Sequence, residues 1–144
     1  MIDGILTNKM VDILIFDNKL TIDYNTKINV RYVIPFREEV NAFLTKEDDT
    51  YHINIRHNLN WEEQFVAFCH ELVHVEQMVR GDLIKTKNGV SYKGEQYSFK
   101  KDISLVEDYK ELPWEREANI RQVPMSLRLI DKLTNDDLLI LMAQ

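Results

Sequence analysis

Apolar residues at the start of the chain recur three and four positions apart: Ile2, Ile5, Leu6, Met10, Ile13, Leu14 and Phe16. That spacing predicts a first helix. The period then changes. Residues 28–34 (INVRYVI) alternate between apolar and polar and are rich in β-branched side chains, a strand that Pro35 ends or confines to an edge. VNAFLT (residues 40–45) and YHINIRH (residues 51–57) are two further alternating runs, and the charged KEDD between them predicts a hairpin.

At Asn60-Trp61-Glu62-Glu63 the period becomes helical again. Asn60 can cap the helix and Glu63 stands at the third helical position, the two halves of a capping box. The helix it opens should run to about Arg80, where Gly81 stops it. Residues 83–99 (LIKTKNGVSYKGEQYSF) place Asn88-Gly89 between β-forming residues, a short-range hairpin signal. After a polar connector, Pro113 introduces the helical pattern WEREANIRQV. Pro124 should kink or restart that helix, which continues through Leu133. A last short helix begins near Asn135, with Asp136 and Asp137 in its first turn. The layout of helix, small antiparallel sheet, long helix, hairpin and further helices predicts an α+β fold.

Composition narrows the function. A chain of 144 residues suits one domain with a real core. Acidic residues outnumber basic ones 24 to 18, for a formal net charge of -6. Nucleic-acid and anionic-membrane binding are therefore not expected, because phosphate contacts need clustered basic residues. Cys69 is the one cysteine, so neither an internal disulfide nor a thiolate zinc knuckle is available. No apolar run reaches membrane-spanning length, and MIDGILTNKM lacks the features of a secretory signal. Those readings make the cytoplasm the expected location.

The chemistry concentrates in FCHELVHVEQ, where His70, Glu71 and His74 form H-E-L-V-H. On a helix, residues four apart share a face, so both imidazoles can converge on one ion. Zinc takes neutral imidazole nitrogen readily, and Glu71 lies beside that face, in reach of a metal-activated water. Two histidines at this spacing around a glutamate are read as a metal pair rather than as hydrogen-bonded core residues. Cys69 is read as a small core hydrophobe. Phe65, Phe68, Leu72, Val75 and Val79 are expected to pack on the helix's other faces.

Two histidines underligate zinc, and a third protein group is needed. His52 and His57 are read as residues of the strand surface, and no further histidine follows within the next turn. Carboxylates are better placed: Glu115 and Glu117 lie on the later helix, 41 and 43 residues after His74. Either can return to the site.

HELVH followed by a hairpin and PWEREAN resembles the zincin metallopeptidases of the gluzincin type, in which a glutamate of a later helix completes the metal site. H-E-L-x-H-x-x-Q with Y-x-x-x-P-W-E-x-E-A is similar to small phage-encoded zinc peptidases. It is also similar to peptidase domains of the ImmA and IrrE type, which carry E-x-x-A-N after their H-E-x-x-H. The resemblance spans residues 51–123. It implies zinc as cofactor, a minimal zincin-like fold, and a peptide or protein substrate. Matched residue by residue, E-x-x-A-N puts the third ligand on Glu115, with Ala118 and Asn119 behind it. Asn119 is then expected to hydrogen-bond the back of a ligand imidazole, and Glu117 to face solvent or an arginine.

The expected reaction is hydrolysis of a peptide bond by metal-activated water, with Glu71 as general base and proton carrier. Tyr109, in the Y-x-x-x-P-W-E arrangement, is the candidate to polarise the carbonyl, with Tyr92 and Tyr97 behind it. An extended peptide is expected to add to the edge of the sheet formed around YHINI. Trp114 is expected to anchor the second helix against the first, and Gln77 either to hydrogen-bond in the site or to cap it. The competing reading is a catalytically silent zinc-binding interaction or regulatory module of the same fold. A DNA-associated protease of SprT type is disfavoured by the net charge and by the lack of a basic or zinc-ribbon extension.

Overall fold

The computed structural model describes residues 6–99 and 109–143. The fold is α+β. Helix α1 (Asn8–Asp17) starts where the Thr7 hydroxyl accepts from the Met10 amide, and buries Met10 and Leu14. Ile2 and Ile5 of the expected helix lie outside the described residues, and Phe16 is exposed.

Strands β1 (Lys27–Val33), β2 (Ala42–Glu47) and β3 (Thr50–Arg56) form a three-stranded sheet in the order β1-β3-β2. The β2–β3 hairpin is as expected, from Ala42↔Ile55 to Glu47↔Thr50, with Asp48 left-handed in the turn (φ 54°). The sheet is not purely antiparallel, however. β1 pairs with β3 in parallel, from Lys27↔Thr50 to Val33↔Arg56. The connection between β1 and β2 therefore passes around the end of β3, and Arg56 holds it there. Its guanidinium donates to the carbonyls of Val40 (3.0 Å), Arg37 (2.7 Å) and Glu38.

Alternation along β3 separates two faces. Tyr51, Ile53 and Ile55 turn into the core, while Asn54 on the other face bonds Arg31, Thr45 and the carbonyls of Phe43 and His52. His52 lies on this outer face beside Asn29 and Glu47, in keeping with a strand-surface role, and His57 follows the strand.

Helix α2 (Trp61–Val79) begins at the expected capping box, Asn60 accepting from the Glu63 amide at 2.8 Å and Glu63 from the Asn60 amide at 3.2 Å. It ends at Gly81, whose φ of +80° is the left-handed conformation that glycine tolerates. Phe65, Phe68, Cys69, Leu72, Val73 and Val75 are fully buried in the core shared by α1, the sheet, α3 and α4. α2 packs on β2 and β3, which makes it the central rod of the structure.

A second sheet follows: β4 (Leu83–Thr86), β5 (Gly89–Tyr92) and β6 (Glu95–Ser98), antiparallel throughout. The first hairpin turns on Lys87-Asn88 rather than Asn88-Gly89, because Gly89 is needed inside the strand. A Cβ there would stand 2.0 Å from the Tyr97 carbonyl oxygen. The second hairpin turns on Lys93-Gly94, both left-handed (φ 49° and 85°), as a two-residue hairpin of matching twist requires.

After a 3-10 turn (Tyr109–Glu111), α3 (Pro113–Lys132) carries proline at its first position and a second proline, Pro124, in its interior. The helix runs on through Pro124. Proline removes the bond to the carbonyl four residues earlier, and Ile120 is exposed, so water can serve that carbonyl. Helix α4 (Asn135–Met142) opens on a Thr134–Asp137 capping box. Among the described residues, no helix is long and apolar enough to cross a membrane.

Candidate metal centre

α2 and α3 make the most extensive helix–helix contact of the fold. Their contacts run in opposite order along the two chains: Gln77 with Trp114, His74 with Glu115, His70 with Gln122. The helices are therefore antiparallel, and the first turn of α3 arrives level with the second half of α2. Glu115, in that turn, points back into α2 between the two imidazoles. One carboxylate oxygen lies 3.0 Å from His70 Nε2 and the other 3.0 Å from His74 Nε2. The two Nε2 atoms are themselves 3.2 Å apart.

Those lengths can be tested against an ion. Nitrogen and oxygen ligands sit about 2.0–2.1 Å from zinc, and tetrahedral angles then put neighbouring donors about 3.3 Å apart. The edges here, 3.0, 3.0 and 3.2 Å, match one face of such a tetrahedron to within a few tenths of an ångström. The donor set fits as well, since two imidazoles and a carboxylate can hold the ion with one corner left for solvent. His70 is the most exposed of the three, with 16% of its side chain open against 8% for His74 and 5% for Glu115, so solvent reaches the cluster from its side.

The far side of each ring is also held. His74 Nδ1 lies 2.8 Å from Gln77 Oε1, and His70 Nδ1 lies 2.7 Å from Gln122 Oε1. Gln77 is oriented by its other end: its amide nitrogen donates to the Trp114 carbonyl (3.1 Å) and to Glu117 (2.7 Å). Its oxygen therefore faces the ring and accepts from Nδ1–H, which leaves the Nε2 lone pair pointing into the cluster. Of the two roles open to Gln77 in the sequence, hydrogen bonding in the site is the one found. The expectation for Asn119 does not hold. Its side chain is exposed, and Gln122, two turns beyond Glu115 and nearer its direction on α3, takes the position behind His70. The stripe Glu115–Ala118–Gln122 was a legible signal for this.

Electrostatics without an ion reflect the crowding. Burial pushes Glu115 up, but hydrogen bonds to His70 and His74 outweigh it and hold the carboxyl down at about 2. Burial opposes charge on His74, yet the bond to Glu115 and the nearby Glu71 carry it up to about 9. His70 is also raised, against its burial, by Glu115 and Glu71. Glu71 is buried beside this group without belonging to the donor triangle. Burial lifts its carboxyl above the ordinary range, and the two histidines only partly counter that. Glu71 has no hydrogen-bond partner among the described residues.

Glu117 faces Gln77, Arg80 (3.6 Å) and Arg121 (4.0 Å), an arginine-side position rather than the cluster. Cys69 is fully buried, its thiol pushed up to about 12 by burial, and it is a core residue. Trp114 does its anchoring differently from expectation. Its ring packs on Tyr92 and Tyr97 of the second sheet, at 5.7 and 5.1 Å between centroids, while its carbonyl rather than its ring ties α3 to α2. Tyr92 and Tyr97 are thereby occupied in packing. Tyr109 is half-buried in the 3-10 turn ahead of α3.

YHINI forms the central strand β3 of the first sheet, paired on both sides, so the edge of the sheet around it is offered by its neighbours. The edges are β1 and β2. Sequence reasoning also missed Glu76, a buried acid that accepts from the Thr21 amide (2.7 Å) and pairs with Arg121 (2.8 Å) and Arg80 (3.3 Å). It ties α2 to α3 one face away from the histidines. In comparisons with known proteins, no protein-family model, no curated protein and no solved structure matches the chain.

Proposed function

We propose that this protein is a zinc-dependent peptidase of the H-E-x-x-H kind, with His70, His74 and Glu115 as metal ligands and Glu71 as general base. The observation that carries the reading is the triangle of donor atoms, with tetrahedral edge lengths, built by residues from two helices. Bound there, zinc would supply a Lewis acid and a water acidified to near neutral pH. Glu71 would take a proton from that water and return it to the leaving amine. Its environment supports the role. Among the described residues this buried carboxylate makes no hydrogen bond, and its visible interactions are with the two histidines of the cluster, which keeps it available as a base beside them.

The substrate class follows from the same reading. An extended peptide can pair with a strand edge, and among the described residues β2 is the edge strand that packs on α2. Tyr109, placed by the Y-x-x-x-P-W-E arrangement, is the tyrosine proposed to assist at the carbonyl, a role that Tyr109→Phe would test. Similarity to gluzincin-type peptidases belongs to this proposal and rests on the motifs alone.

Two measurements test it together. Elemental analysis of the purified protein should find one zinc per chain, lost in His70→Ala. Glu71→Gln should keep the zinc and lose hydrolysis of an unstructured protein by about 10²–10⁴-fold. Stoichiometric zinc with no hydrolysis in either form would leave the silent binding module as the correct reading.

A further inference from the structure

We propose that Gln77 and Gln122 are the positioning residues of this centre, each fixing one imidazole in the tautomer and rotation that presents Nε2. This rests on the zinc reading above and extends it to residues outside the ligand set. Both amide oxygens lie within 2.8 Å of an Nδ1, one behind each ring. An imidazole with Nδ1–H committed to an acceptor has only Nε2 left to offer, and its ring cannot turn without breaking that bond. The two Nε2 atoms accordingly face each other and Glu115.

The partners are amides, not carboxylates, and this bears on reactivity. A carboxylate behind a ligand histidine makes the ring more basic and donates charge toward the metal. A neutral amide orients the ring without adding charge. With Glu115 the only anion in the donor set, the centre keeps a net positive charge when a divalent ion is bound.

The two glutamines are supported unequally. Gln77 is fully buried and held at three points: His74, the Trp114 carbonyl and Glu117. Removing it would leave several buried groups unsatisfied, so its loss tests folding as much as positioning. Gln122 is half-buried and its bond to His70 is its one hydrogen bond among the described residues. It is the cleaner probe.

The experiment compares wild type, Gln122→Leu and Gln122→Glu for zinc affinity by competition with a chromophoric chelator. The visible spectrum of the cobalt-substituted proteins and the thermal midpoint of the metal-free forms are recorded alongside. Gln122→Leu should bind zinc about 10–100-fold more weakly, with an altered cobalt spectrum and an unchanged metal-free midpoint. Gln122→Glu, which can still accept from Nδ1, should restore affinity. Should Gln122→Leu lose its helical circular dichroism, Gln122→Ala carries the same comparison. Wild-type affinity and spectrum in the Leu and Ala variants would overturn the positioning role while leaving the zinc reading intact. A wild-type protein that binds no zinc would end both.

Discussion

Removing the metal should change how stability depends on pH, and the change can be worked out from the cluster. In the metal-free protein Glu115 ionises at about 2 instead of an ordinary 4.5, and His74 at about 9 instead of 6.5. At 1.36 kcal/mol per pH unit, either displacement corresponds to about 3 kcal/mol. The two describe one attraction from its two ends and are counted once. The depressed carboxyl contributes stability that is complete above pH 4.5 and is lost as pH falls toward 2. The raised imidazole contributes stability that is complete below pH 6.5 and is lost as pH rises through 9. Metal-free protein should therefore gain most from the cluster between these limits. Toward pH 10 it should lose about 3 kcal/mol, or about 10 °C in thermal midpoint for a chain of this size. Zinc needs both Nε2 lone pairs, so it displaces the proton, and the loaded protein should gain stability from pH 6 to 9 where the metal-free form declines. Calorimetric scans of chelator-treated and zinc-loaded protein from pH 4 to 10 read both limbs. Glu115→Gln should flatten the metal-free alkaline limb and abolish stabilisation by zinc. An alkaline limb that survives intact in Glu115→Gln, or identical profiles with and without zinc, would refute the reasoning.

The second sheet offers two further tests. Trp114→Ala removes the ring on which Tyr92 and Tyr97 pack; it should cost about 3–5 kcal/mol in urea unfolding and weaken zinc binding by loosening the first turn of α3. Gly89→Ala would drive a methyl against the Tyr97 carbonyl. It should cost about 1–3 kcal/mol, visible as faster hydrogen exchange along β5 and β6.

Much of the local architecture was readable in advance because it is decided within a few residues. The Asn60–Glu63 box, the stop at Gly81 and the proline at the head of α3 act through backbone groups one turn away. The pairing of His70 with His74 is of the same kind, since helix geometry alone brings residues four apart together. The hairpin turn at Lys87-Asn88 slipped by one residue from expectation because the constraint on Gly89 comes from β6, a strand further along.

From the chain alone came the helix carrying the histidines, the hairpins and the short list of acids able to join them. Which acid does so was settled by packing. Antiparallel docking of α3 on α2, held by Glu76 with Arg121 and by Gln77 with the Trp114 carbonyl, turns Glu115 inward and Glu117 toward the arginines. The parallel partnership of β1 with β3, and the choice of Gln122 over Asn119 behind His70, have the same origin. Backbone periodicity sets where a side chain points from its own helix or strand. Only the rotation and height at which two elements meet determines what it touches, and no spacing within one element encodes that.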